Sequence, residues 1–375
     1  MRFPQNSFKV CGLCGLVLGG PLSLWLAWRH GLSPWIELTL IVLAVGMLLA
    51  VPLAVKVFTG IDGFVFYRDV ICIFTVVALT LRWLHQPVLP YLDVTIAGAG
   101  LFHAWGRIGC LLSGCCYGRP SRVGVRYTYA HAEMGFPMQL IGVRLFPIQA
   151  LESAWILCLA SGAALIVVRH SQTGTAFASY VGGYALGRFF FEFARGDTDR
   201  PYYLGFSQAQ WISFFLALFV SMLGRMVFPP HSIWWSGPVA VLAVCVALVA
   251  LVRKLESPLR FELLHPRHTE ELAELVRGIA SFAHAAQPAM RSSPRRAAIK
   301  VKQTSLGIRI SAGEILCDGT RLCHYCLSKE GEPLSRKDAS LLAHQISFIQ
   351  HDGAPFRRVL GNNGVVHLLF QSNDG

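Results

Sequence analysis

The sequence predicts an all-α polytopic membrane protein, with a small head between its fourth and fifth helices and a soluble α+β domain at its C-terminus. Three observations predict it. Of 375 residues, 54% are apolar and only 14% are charged, whereas a soluble domain carries nearer a quarter charged residues. Apolar runs long enough to cross a bilayer recur through the first two thirds of the chain. Beyond residue 254 the pattern changes to alternating and helix-period segments of mixed polarity.

Eight apolar runs are read, near 11–28, 35–56, 69–84, 94–112, 148–168, 176–194, 207–228 and 233–252. Arg2 and Lys9 precede the first, as in a signal peptide, but no small-x-small cleavage site follows, so it is read as a membrane helix. Most connections are short. Residues 113–147, with "YGRPSRVGVRYTYAHAEMGFPMQLIGVRLFP", are too long for a simple loop and predict a folded head. After Lys254, "EELAELVRGIASFAHA" sets Leu272, Leu275, Val276 and Ile279 at helical spacing. "QPAMRSSPRR" reads as a polar linker around Pro288 and Pro294. "IKVKQTSLGIRISAGEILCDGTRLCHYCLS" predicts a strand meander, and "SRKDASLLAHQISFIQ" a helix capped by Ser335. "VLGNNGVVHLLFQ" closes with a turn and a strand. The expected divisions are 1–228 and 229–254 in the membrane, 255–299 as helix and linker, and 300–375 as a small α+β module with no catalytic motif.

Through residue 253, fifteen Arg and two Lys oppose nine acidic residues. Guanidinium is a planar fork that grips phosphate at two points and stays charged when desolvated. Basic charge beside membrane helices points to anionic lipid rather than nucleic acid, although a single arginine also serves as a helix-end anchor. Charge does not orient the chain. With the N-terminus outside, outer loops carry Lys56, Arg68, Arg119, Arg122, Arg126, Arg144, Arg195 and Arg200, and inner ones Arg29, Arg82, Arg169 and Arg225. That inverts the positive-inside rule.

Of eleven cysteines, Cys72, Cys158 and Cys245 sit in apolar runs as small core residues. "CDGTRLCHYC" offers Cys317, Cys323, His324 and Cys326, but its spacing matches no standard zinc site and the segment alternates like a strand. No metal or cofactor is expected.

Charge inside apolar runs is costly and marks function. Asp93, His103 and Arg107 share one run, with His103 and Arg107 four residues apart on one helix face. "PIQALES" puts Gln149 and Glu152 at the start of the next. "YALGRFFFEFARGD" spaces Tyr184, Arg188, Glu192 and Arg195 by four, four and three, a polar stripe of alternating charge. "GFSQAQWIS" brings Gln208 and Gln210 to another helix start. Arg188 and Glu192 could be a packing pair; two arginine-bearing helices could also meet around one phosphate, as in a lipid headgroup site.

These clusters, in this order over roughly residues 8–228, resemble the prolipoprotein diacylglyceryl transferase family. "GRIGCLLSGCCYGRP" resembles its signature G-R-x-G-N-F-x-N-x-E-x-x-G, keeping Arg107 and Gly118. "LFPIQALES" resembles H-P-x-Q-x-x-E, keeping Pro147, Gln149 and Glu152. "YALGRFFFEFARGD" resembles Y-G-x-x-R-F-x-x-E-x-x-R-x-x-D, keeping Tyr184, Arg188, Glu192 and Arg195. "FSQAQWIS" resembles x-x-x-G-Q-x-x-S, and Asp93 keeps the family spacing ahead of Arg107. The chain departs where the signature's two Asn and Glu become Cys110, Ser113 and Cys115. The family's histidine falls near Tyr67, the tyrosine of its first helix on Cys11, and the histidine before Pro147 on Phe146.

The resemblance implies seven family helices, here followed by an eighth, in a bacterial inner membrane. It implies transfer of diacylglycerol from phosphatidylglycerol to the lipobox cysteine of a prelipoprotein, by a monomer without cofactor. Arg107 and Arg188 would hold the phosphate, Glu192 would orient Arg188, and Arg195 would recruit the headgroup. Gly118 would shape the approach; Tyr184, Gln149, Glu152 and Asp93 would line the site. His103 is the expected replacement base, since it titrates near neutrality. Cys110, Cys115 and Cys116 are read three ways: small packing residues, a catalytic thiol, or a disulfide involving Cys115 or Cys116. Two other functions compete: a lipid- or lipoprotein-binding protein that has lost its base, and a thiol or redox membrane protein built on the GCC element. Family topology places the tail outside, whereas Arg253, Lys254 and Arg260 argue for inside.

Overall fold

The computed structural model describes residues 6–60, 66–227, 236–290, 300–317, 320–361 and 364–371. Four helices come first: α1 (Ser7–Arg29), α2 (Pro34–Thr59), α3 (Phe66–Trp83) and α4 (Val88–Ser113). The head follows, with strand β1 (Pro120–Arg126), a single turn α5 (Tyr129–Ala132) and a short β2 (Arg144–Leu145) paired antiparallel to β1. Helices α6 (Ile148–Val168) and α7 (Thr175–Phe191) return to the bundle. A hairpin, β3 (Tyr202–Tyr203) and β4 (Phe206–Ser207), leads into α8 (Gln208–Val227) and α9 (Gly237–Leu255). Ser207 and Gln210 form a reciprocal cap at the start of α8, Ser207 N donating to Gln210 Oε1 at 2.9 Å and Gln210 N to Ser207 Oγ at 3.3 Å. Gln210 is thereby occupied in helix initiation.

Among the described residues, five helices are long and apolar enough to cross a membrane: α1, α2, α6, α8 and α9. The other three expected runs are helices too, but fall outside that set. α7 has 17 residues, and α3 and α4 carry charge: Arg68, Asp69 and Arg82 on one, Asp93 and Arg107 on the other. A helix that brings charged groups into a bundle lowers its own hydropathy.

Helix α4 is the central element. Cys11, Gly15, Gly19, Ser23 and Ala27 recur every four residues on α1, and all are buried. This stripe of small side chains lies against α4 in antiparallel register, with Gly19 facing Gly98 and Gly15 facing Phe102. Such stripes let two backbones touch, and in an apolar solvent close packing is what associates helices. The register puts the start of α1, the end of α4 and the head at one end of the bundle.

The tail lies at that same end. Arg253, near the end of α9, donates to the carbonyls of Leu204 and Gly205 in the hairpin. Beyond it come α10 (Pro258–Leu263) and α11 (Pro266–Met290), then a five-stranded antiparallel sheet. Its strands are β5 (Val301–Gln303), β6 (Ile308–Cys317), β7 (Thr320–Lys329), β8 (Phe356–Leu360) and β9 (Val366–Gln371), in the order β5-β6-β7-β9-β8. Helix α12 (Arg336–Gln350) covers one sheet face; its cap is Ser335, whose Oγ accepts from Asp338 N at 3.1 Å. Helix α11 runs on through Gln287–Met290, which the sequence assigned to the linker. The rest of that linker, 291–299, lies outside the described residues.

Head and tail share one hydrophobic cluster. Tyr117, Tyr127 and Leu145 of the head belong to the same buried cluster as Leu272 and Val276 of α11 and Ile308 and Leu327 of the sheet. Arg119 Nη1 donates to Leu264 O at 2.8 Å, and Arg126 and Arg144 both pair with Asp352. Three of the arginines that contradicted the charge rule are thus committed to holding the tail. Leu272 is fully buried, so Leu272→Ala is expected to cost about 2–5 kcal/mol. Thermal unfolding in detergent, with proteolysis between α9 and the sheet as a second readout, checks this.

Candidate functional site

Arg107, Glu152, Arg188 and Glu192 converge where α4, α6 and α7 meet at the head end. Glu152 of α6 lies between two arginines from other helices. Its Oε2 is 2.9 Å from Arg107 Nε and its Oε1 is 3.5 Å from Arg188 Nη1. Arg188 Nη1 is also 2.5 Å from Glu192 Oε2, and Glu192 pairs on its other oxygen with Arg200. Arg195 grips Asp197 with both forks, at 2.8 and 2.7 Å, and Arg200 Nε reaches Asp197 Oδ2 at 3.3 Å. Arg107, Glu152, Arg188, Glu192 and Arg195 are all buried. Buried charges survive only when paired and hydrogen-bonded, and each of these has a partner from a different element or turn.

The network holds four guanidinium groups, Arg107, Arg188, Arg195 and Arg200, against three carboxylates, Glu152, Glu192 and Asp197. Among these described ion pairs, guanidinium groups outnumber carboxylates.

The anticipated stripe on α7 is interrupted. The α-helix ends at Phe191, Glu192–Ala194 form a 3-10 turn, and Arg195 is extended. Tightening of that last turn swings Arg195 away from Glu192 and onto Asp197. It also lets the backbone pair with the head: Gly118 bridges to Arg195, and Arg119 N donates to Ala194 O at 3.0 Å. Gly118 earns its place here differently from expectation. A Cβ at that position would overlap the carbonyl of Phe146, so the close approach it permits is to protein backbone.

Asp93 does not join the site. Its carboxylate accepts from Gly174 N at 2.5 Å and Phe177 N at 2.8 Å, capping the first turn of α7. Fourteen residues of helix put it about 21 Å from Arg107 along the axis of α4. Gln149 acts on the loop: its Nε2 donates to Cys115 O at 2.8 Å and approaches Tyr127 Oη at 3.3 Å. His103 lies one turn before Arg107 with its ring edge-on to Tyr184, centroids 5.2 Å apart. Tyr67, at the position matched to the family's histidine, contributes a hydroxyl 2.8 Å from Ser213 Oγ and a ring 6.2 Å from Tyr184.

The three cysteines gather. The Sγ atoms of Cys110, Cys115 and Cys116 lie within 4.8 Å of one another, and Ser113 Oγ is 3.4 Å from Cys115 Sγ. All three are free thiols. Cys116 has φ of +54°, a left-handed conformation that a side chain rarely adopts and that clusters at functional sites. Hydrogen bonds from Cys110 and Cys115, and then the guanidinium groups of Arg195 and Arg107, hold the Cys116 thiol well below its ordinary value.

Sequence reasoning did not place Arg200 or Asp197 in the site, nor the pairing of Tyr67 with Ser213. The density of charge in "ARGDTDR" was the available signal for the first two. The Tyr67–Ser213 contact joins residues 146 positions apart, and no local pattern encodes it.

The family profile described as prolipoprotein diacylglyceryl transferase matches residues 8–228. Over 169 residues the chain is 33% identical to a phosphatidylglycerol–prolipoprotein diacylglyceryl transferase of Clostridium tetani, covering 44% of this chain and 64% of the relative. A Dehalococcoides mccartyi protein of the same name is 35% identical over 135 residues, covering 36% of this chain and 50% of the relative. A Clostridium perfringens protein named as the second such transferase is 32% identical over 157 residues, or 42% and 59% of the two chains. The aligned region thus spans 50 to 64% of the length of these relatives. No solved structure matches significantly.

Proposed function

The chain belongs to the prolipoprotein diacylglyceryl transferase family, and from that premise we propose that it moves diacylglycerol from phosphatidylglycerol to the cysteine thiol of a prelipoprotein. The proposal includes a bacterial inner membrane crossed by α3, α4 and α7 as well as by the five more apolar helices. The observation that carries it is the joining of Arg107 on α4 and Arg188 on α7 through Glu152, in a buried network of ion pairs. Both arginines then face the departing phosphate, and Glu152 and Glu192 fix their orientation.

In the reaction the acceptor thiol loses its proton, its sulfur forms a C–S bond to the glyceryl carbon, and that carbon's C–O bond to phosphate breaks. Glycerol phosphate leaves with the electron pair. Cations preorganised around the leaving oxygens lower this barrier most; a positioned base activates the thiol. Two groups in the site can take the proton, His103 and Cys116. The proximity of Cys116 to two other thiols and to Arg195 and Arg107 favours Cys116. Its depressed thiol is charged above its folded pKa and protonated below, so activity should be present above that pKa and fall as pH drops through it.

Cys116→Ser is expected to slow transfer by about a hundredfold or more and to remove that acid limb, while His103→Ala should keep transfer within about fivefold. A single assay measures both: expression in a host depleted of its own transferase, with the mass of a reporter prelipoprotein followed against pH. Absence of any diacylglyceryl shift from the correctly inserted wild-type chain rejects transferase activity and leaves a phospholipid- or lipoprotein-binding protein. Loss of activity in His103→Ala with a normal Cys116→Ser returns the base to His103.

A further inference from the structure

The tail sheet has two faces of different character. Tyr325 and Leu327 of β7, with Val366, Leu368 and Phe370 of β9, point into the core beneath α12. The alternation of a strand sends their neighbours His324, Cys326 and His367 to the opposite face. Cys326 and His367 are directly paired across β7 and β9, and His324 is two residues from Cys326 on the same face. The register therefore brings together three ligand types from segments 41 residues apart.

Their atoms already converge. His324 Nε2 and His367 Nδ1 are 2.9 Å apart, Cys326 Sγ is 3.5 Å from the first and 3.3 Å from the second, and the two rings are stacked at 23°. A tetrahedral ion with ordinary Zn–N and Zn–S lengths separates two nitrogens by about 3.3 Å and a nitrogen from a sulfur by about 3.6 Å. Opening the two imidazoles by a few tenths of an ångström makes that room. All three residues are half-buried, so the cluster is sheltered yet reachable.

The surroundings suit a cation. Gly361 lies against the outer nitrogen of His367: a Cβ there would stand 2.5 Å from His367 Nε2. That glycine leaves room for the ring to turn Nδ1 inward. Ser311 is paired with Cys326 across β6 and β7, which sets its hydroxyl beside the cluster as a polar neighbour. Gly313 is paired with His324, and a Cβ built on it meets nothing, so the fourth direction is open.

We propose that His324, Cys326 and His367 form a three-ligand site for a borderline or soft transition-metal ion, with zinc(II) as the reference ion and the fourth position left to water or an exogenous ligand. A thiolate with two neutral imidazoles is the donor set that zinc and copper(I) prefer over magnesium or calcium. Binding releases one proton, that of the Cys326 thiol. The proton shared by the two imidazoles moves to an outer ring nitrogen and stays on the protein. Three protein ligands and one open position mark an exchangeable or reactive site rather than a closed structural one.

The test uses the full chain in detergent, stripped with chelator and titrated with cobalt(II) as a spectroscopic stand-in for zinc(II). Wild-type protein should bind one cobalt per chain with a thiolate-to-cobalt charge-transfer band, displaced by zinc. Cys326→Ser should lose the band while unfolding at the wild-type temperature in the absence of metal. His367→Ala should weaken binding by about tenfold or more. The triple variant of Cys110, Cys115 and Cys116 to Ser separates this site from the membrane thiols and should keep the band. Absence of a thiolate band in the wild type, or a band that survives Cys326→Ser and vanishes in the triple variant, overturns the assignment.

Discussion

Arg107→Gln is expected to reduce diacylglyceryl transfer by about a hundredfold to a thousandfold, the usual loss when one preorganised charge donor is removed from a water-poor site. Two effects combine. On the proposed function the departing phosphate would lose one of two interhelical cations, and Glu152 would keep its ion pair with Arg188, at 3.5 Å, in place of the closer Arg107 contact at 2.9 Å. Removing one partner of a buried pair costs about 3–5 kcal/mol when nothing replaces it; with Arg188 remaining, the structural part should be smaller. Arg107→Lys separates the two, since it restores charge without the two-pronged fork. It should recover thermal stability in detergent and recover transfer only in part. Full prelipoprotein modification by an inserted Arg107→Gln variant would remove the arginine pair from the mechanism.

Gly19→Leu is expected to have the largest effect on stability. A Cβ on Gly19 would overlap the Gly98 carbonyl, and the obstruction is backbone, which cannot rotate away. Helices α1 and α4 must then separate along their whole contact, at a cost of about 3 kcal/mol or more. The adjacent Gly20 is a matched control, because a Cβ built there meets nothing within 4 Å. Gly20→Leu should leave stability within about 0.5 kcal/mol. Unfolding temperature and the yield of monodisperse protein in detergent distinguish the two. Equal losses would show that the stripe of small residues does not set the packing of α1 on α4.

The two predictions differ in how far the sequence alone could support them. Arg107, Arg188, Glu192 and Arg195 were legible because charge in an apolar run is rare and the motifs fall in family order. Their grouping was legible only in part. Arg188 and Glu192 are four residues apart on one helix, and local geometry pairs them. That Glu152 from a third helix would join Arg107 to Arg188 depends on how three helices pack. Asp93 illustrates the reverse error. Its intramembrane charge suggested the site, but its carboxylate caps α7, an equally good reason to keep an acid there. The cysteines could be matched to family positions one by one, yet their convergence on one another depends on the left-handed turn at Cys116.

The sequence by itself determined the helices, the head, the meander and the cap at Ser335, because apolar period and capping chemistry act within a few residues of chain. It left the side of the tail undecided, since arginines that bind protein count the same as arginines that anchor helices. Only the tertiary structure decided that the tail docks on the head and occupies Arg119, Arg126 and Arg144. It alone brought His367 to His324 and Cys326 through strand register. The physical reason is the same in each case. Ion pairs, shared cores and ligand clusters act over a few ångströms of space, and the residues that meet across that space are separated by tens to more than a hundred positions of chain.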